Sequence, residues 1–128
     1  MHATKKRPKE EWHDQKIIYF VAFKETYKEM TYSLEEIASI TGGILTGRNS
    51  RIERIITDSR NPFDPTATLF VAIRGNNHNG HDYISTLYQE GVRAFLIDSE
   101  IDTSRYPEAG FVRCDNSIQA LQKLASSH

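Results

Sequence analysis

The chain has 128 residues, 38% of them hydrophobic, with 16 Lys and Arg against 17 Asp and Glu, for a formal net charge of −1. That length fits one domain, or one domain with a tail, and the apolar residues are enough for a single core over most of the chain. The even charge balance excludes a strongly basic nucleic-acid-binding surface, and no apolar run approaches the roughly 18 residues of a membrane span.

Residues 1–30 differ from the rest. Lys5, Lys6, Arg7 and Lys9 form a basic cluster, and Ile17 to Phe23 (IIYFVAF) form an apolar run. The order imitates a secretory signal. However, the run is at the short limit, acidic residues precede it, and no small-x-small cleavage site follows, so secretion is rejected. Two readings stand: a short amphipathic element that docks on the domain, or a leader not native to it, since Met30-Thr31 sits directly before a strong helix start. The domain is therefore expected over 31–128.

Ser33-Leu34-Glu35-Glu36 spells a capping box, with Leu34, Ile37, Ala38 and Thr41 on one helical face and Gly42-Gly43 as the stop. Ile44 to Thr46 reads as a short strand, Gly47 to Ser50 as a turn, and Ile52 to Thr57 as a second strand. Asn61-Pro62-Phe63-Asp64-Pro65 cannot be regular structure. Thr68 to Ile73 is a continuous apolar run, which suits a strand covered on both faces. Asp82 is the expected cap of a helix carrying Ile84, Leu87 and Tyr88, which Gly91 ends. Val92 to Ile97 and Gly110 to Cys114 are further strands. Asp115-Asn116-Ser117 opens a last helix, with Ile118, Leu121, Leu124 and Ala125 on one face. This alternation predicts an α/β fold, a mixed or largely parallel sheet with helices packed on it.

Two of these strands end in small polar clusters: Thr57-Asp58-Ser59-Arg60, and Arg74-Gly75-Asn76-Asn77-His78-Asn79-Gly80. Ligands of open α/β sheets bind beyond the carboxyl ends of the strands. Hydroxyls, amides and main-chain groups suit a neutral heterocycle such as a pyrimidine. Gly75 and Gly80 would let the backbone approach a ligand closely, and Arg60 and Arg74 can reach a phosphate. The same residue types are also ordinary turn formers. His78 and His81 have no third partner in sequence, so no metal site is expected. No His stands at catalytic spacing from Asp58 and Ser59, and the single Cys114 reads as a half-buried, unreactive thiol of a reducing compartment.

The series "TDSR", "LFVAIRG", "NGHDYI" and "GVRAFLI", in order over about Tyr32 to His128, resembles the amino-terminal domain of the Mur ligases. Asn79 stands where that pattern has Asp, Tyr83 takes the aromatic position, and Val92 replaces Ala. The front, "YSLEEIASITGGIL", is most similar to the member that adds D-alanyl-D-alanine, with the tripeptide-forming member as runner-up. The resemblance implies a substrate-binding domain for the UDP-N-acetylmuramoyl-peptide precursor of peptidoglycan. By position, Thr57, Ser59, Arg60, Asn76, Asn77 and His78 fall near the uridine.

It further implies a cytoplasmic, monomeric, ATP- and Mg2+-dependent ligase when full-length. A downstream ATPase domain, and in some bacteria a fused alanine racemase, would accompany these residues. The chain has no phosphate-cradling Gly-rich loop ending in Lys-Ser/Thr, so these residues alone are expected to hold neither ATP nor metal and to be inactive. The alternative of a different class is a stand-alone nucleotide- or protein-binding module that shares the fold.

Overall fold

The computed structural model describes residues 31–59 and 64–127. The expected leader at 1–30 and Arg60 lie outside them.

The capping box forms as its spelling dictates. The Glu36 amide donates to Ser33 Oγ at 3.0 Å, and the Ser33 amide donates to Glu36 Oε1 at 2.8 Å. The helix they start, α1, runs Leu34–Thr41 and buries Leu34, Ile37, Ala38 and Thr41. It stops at Gly42, whose φ of 78° is a left-handed conformation that glycine adopts without a Cβ penalty. Tyr32–Ser33 (β1) ahead of it pairs antiparallel with Arg51–Ile52 (β3) in a small two-stranded ribbon.

The main sheet has five strands. β2 (Ile44–Gly47) is antiparallel to β7 (Gly110–Arg113), while β4 (Arg54–Ile56), β5 (Thr68–Val71), β6 (Ala94–Ile97) and β7 run parallel, in the order β2-β7-β6-β5-β4. The expected mixed, largely parallel sheet is what forms. The strand expected over Ile52 to Thr57 is divided. Glu53 leaves the ribbon and donates its amide to Ala67 O at 2.8 Å, which lets one stretch serve β1 on one side and β5 on the other.

β5 and β6 are buried along their whole length, and their alternation separates two cores. Leu69, Val71, Ala94, Leu96 and Val112 face α1 and the last helix, α3 (Ser117–Ser127). Phe70, Phe95, Ile97 and Phe111 face the other way, with Ile84 and Leu87 of α2 (Ile84–Gln89) and Tyr106. A sheet buried on both faces explains why these strands read as unbroken apolar runs. The arrangement brings the carboxyl ends of β4, β5, β6 and β7 to one edge, from which both polar clusters emerge.

Candidate functional site at the carboxyl edge of the sheet

β4 and β5 are neighbours in parallel register, with Ile56 opposite Phe70. Thr57 to Ser59 and the chain after Val71 therefore leave the sheet side by side. Thr57 and Ser59 are half-buried, whereas Asn76, Asn77 and His78 are exposed. The Thr57 hydroxyl oxygen is covered and has no hydrogen-bond partner among the described residues.

The second cluster is a tight hairpin. Arg74 and Asn79 form an antiparallel bridge, Gly75 donates to His78 O at 2.6 Å, and Gly80 donates to Ile73 O at 2.9 Å. This folds Asn76, Asn77 and His78 into an exposed tip. Gly80 is itself buried, and a Cβ there would stand 2.7 Å from Ile73 N. Its missing side chain serves the hairpin's own packing and not the close approach of a ligand.

The helix start expected at Asp82 is different. Asn79 Oδ1 accepts the His81 amide at 3.0 Å and caps a single 3-10 turn, Gly80–Tyr83, which leads into α2. The turn delivers the His81 ring to the carboxyl end of β6. Its Nδ1 lies 2.7 Å from Asn79 Oδ1, and its Nε2 accepts the Asp98 amide at 3.2 Å. An acceptor oxygen on one side and a donor amide on the other select the neutral ring protonated on Nδ1.

Asp98 reaches the same spot. Its Oδ2 accepts the Ser117 amide at the start of α3 at 2.9 Å. Its Oδ1 makes no hydrogen bond among the described residues and faces Arg74 Nε and His81 Nε2, each at 3.4 Å. The Asp98 side chain is 6% exposed and that of Arg74 55%. A buried carboxylate needs nearby positive charge, so Arg74 is held partly toward the protein. In the sequence His81 reads as one of two histidines without a third metal partner and as part of the "NGHDYI" motif, and Asp98 is not singled out. The available signal was an acidic residue closing the apolar run "AFLI" at the edge where the polar clusters end. Cys114, the residue after β7, donates its thiol to Ile97 O at 3.5 Å, and burial, reinforced by the Asp98 charge, pushes the thiol up. A raised thiol is held in its protonated form, and the thiolate is the nucleophile.

Burial holds His81 below its ordinary value of 6.5, and the Arg74 charge acts in the same direction, against Asp98 and Asp82, which favour the cation. The unfolded chain therefore binds this proton more readily than the folded one. The stabilisation from the neutral ring is complete above the unfolded value and is lost as pH falls from about 6.5 through the lowered folded value. Thermal melts from pH 8 downward are expected to show a decline that starts near neutrality and that His81→Gln flattens. An equal decline in the variant would assign the effect to other groups.

Residues 52–128, more than half of the chain, match the sequence model of the Mur ligase family described as its catalytic domain. A curated relative, the UDP-N-acetylmuramoyl-L-alanyl-D-glutamate–2,6-diaminopimelate ligase of Clostridium tetani, is 28% identical over 106 residues, which cover 82% of this chain and 20% of that protein. The UDP-N-acetylmuramoylalanyl-D-glutamyl-2,6-diaminopimelate–D-alanyl-D-alanyl ligase of Acinetobacter baumannii matches in structure with a TM-score of 0.64 at 20% identity, over 74% of this chain and 21% of that one. A crystal structure described as MurF from the same organism gives the same score and identity over 74% of this chain and 20% of its own. At that identity the structural likeness speaks for the fold, and the chain spans about a fifth of the length of these relatives. With one family pattern running from β3 to the last helix, and the fold shared with solved members, the chain belongs to the Mur ligase family.

Proposed function

We propose that residues 31–128 are the amino-terminal, substrate-binding domain of a peptidoglycan-synthesising ligase, and that the carboxyl edge of the sheet binds the uridine end of a UDP-N-acetylmuramoyl-peptide. The observation that carries this is the emergence of the two polar clusters side by side from adjacent parallel strands, β4 and β5. Ser59 offers a hydroxyl, and the tip of Asn76, Asn77 and His78 offers amides and main-chain groups at the level of a planar base. Thr57 contributes through its backbone, since its hydroxyl is covered. Arg60 completes the first cluster in sequence and lies outside the described residues. Arg74, half-exposed beside Asp98, supplies positive charge for the diphosphate.

ATP and Mg2+ belong to the proposed full-length enzyme and do not fit the residues present here. The chain has no Gly-x-x-Gly-x-Gly-Lys-Thr-type loop, and among the described residues no three His, Cys, Asp or Glu side chains gather as metal ligands. The proposed role of these residues is to hold and orient the precursor, with acyl transfer carried out by domains beyond them in a cytoplasmic, monomeric protein. No helix among the described residues is long and apolar enough to cross a membrane. We assign the D-alanyl-D-alanine-adding reaction, on the resemblance of "YSLEEIASITGGIL". The Clostridium relative favours the diaminopimelate-adding reaction as the second reading. Assay of the full-length ligase with each donor in turn separates the two.

Titration of the isotope-labelled chain with uridine diphosphate is expected to shift the amides of Ser59 and of Asn76 to His78. Shifts confined to other regions, or none at millimolar nucleotide, would remove the site. In the full-length ligase, Ser59→Ala should raise KM for the UDP-precursor roughly five- to tenfold, the worth of one hydrogen bond, with a smaller fall in kcat, because the contact is remote from the reacting centre. An unchanged KM would take Ser59 out of the site.

A further inference from the structure

The hairpin tip is exposed and short: the bond that closes it, Gly75 to His78, joins two exposed residues and is open to solvent competition, while the Gly80 amide that donates to Ile73 is buried at its base. Such a loop opens easily unless something outside it holds it. One side chain does so. His81 bonds at Nδ1 to Asn79, the closing residue of the hairpin, and at Nε2 to the Asp98 amide just past the end of β6. The Asn79 side chain in turn takes the His81 amide, so one amide oxygen closes two contacts. Asp98 is fixed independently by the start of α3. The buried imidazole, 4% exposed, thus links the exposed hairpin to the residue that follows β6 and accepts the first amide of α3.

We infer that His81 is a positioning residue: its ring clamps the Arg74–Asn79 hairpin to the carboxyl end of β6, so that Asn76, Asn77 and His78 meet the nucleotide in one preset conformation. His81 touches no nucleotide and acts only through Asn79 and Asp98. A preset loop binds more tightly because less conformational freedom is lost on association. The inference rests on the uridine site proposed above, and its first readout does not need that site to exist.

The experiment is amide hydrogen exchange on the ligand-free, labelled 128-residue chain, followed by titration with uridine diphosphate, for the wild type, His81→Ala, Asn79→Ala and Asn79→Asp. Both alanine variants should speed exchange at Gly75 and Gly80 by roughly five- to tenfold, the worth of one lost hydrogen bond. Phe70 and Phe95 in the central strands should stay protected, and nucleotide affinity should weaken by a similar factor. Asn79→Asp keeps an acceptor oxygen facing the ring and should restore both loop order and affinity, a rescue that a general loss of stability would not give. Should His81→Ala fail to fold, the Asn79 pair, at a half-buried position, decides alone. Unchanged exchange at Gly75 and Gly80 overturns the inference, as does a loosened hairpin with wild-type affinity. A wild type that ignores the nucleotide defeats the uridine reading, while the ligand-free exchange still shows whether His81 holds the loop.

Discussion

Phe95→Ala is expected to destabilise the domain by about 3–5 kcal/mol, the range for removing a fully buried phenylalanine. Phe95 has no exposed surface. Its ring stacks on Phe111 with centroids 5.2 Å apart and meets Phe70 edge-on at 6.3 Å. Truncation removes the transfer energy of the ring, leaves a cavity in the middle of the sheet, and breaks two aromatic contacts at once. The neighbours cannot close the gap, because Phe70 and Phe111 are themselves fixed by their strands on either side of β6. A domain of this size holds roughly 5–15 kcal/mol in all, so a large part of the folded population is at risk. Urea or thermal unfolding measures the effect. A loss below about 1 kcal/mol would mean that the aromatic core is far looser than its packing implies.

Gly110→Ala should cost about 1–3 kcal/mol, the usual penalty of forced overpacking. Gly110 opens β7, where it is paired with Gly47 of β2 and Ala94 of β6. A Cβ there would fall on the carbonyl oxygen of Arg48 and lie 2.6 Å from Leu34 Cδ2. The oxygen belongs to backbone and cannot swing aside, and Leu34, the first residue of α1, is wholly buried. Relief requires moving β2 away from β7, so the variant should also loosen the amides of Ile44 to Gly47. Full stability with intact β2 protection would contradict the close approach of the Arg48 backbone to Gly110.

Much of this architecture is written in local sequence. The α1 start follows from Ser33 and Glu36 because both hydrogen bonds lie within four residues, and its end follows from Gly42 for the same reason. The parallel strands follow from apolar runs that only a sheet covered on both faces accommodates. The α2 start does not follow, because two acceptors, Asn79 and Asp82, compete within one turn. The winner is settled by the contact between His81 and Asp98, 17 residues away. Glu53 is equally opaque, since the break there exists to satisfy a carbonyl on Ala67. At the candidate site the sequence marks both polar clusters, while their adjacency depends on strand order, and the His81–Asp98 bridge depends on the precise height at which β6 ends. The usual turn chemistry of Asn and Gly hides such long-range partners.

The division of the sheet into an aromatic side and an aliphatic side has a consequence for assembly of the fold. Alternate residues of β5, β6 and β7 send Phe70, Phe95 and Phe111 to one side and Leu69, Leu96 and Val112 to the other. Sliding any of these strands by a single position would drive a bulky ring into space shaped for a smaller side chain and leave a hole where the ring belonged. Mispaired sheets are thereby penalised twice over, and the chain proofreads its own alignment as it folds.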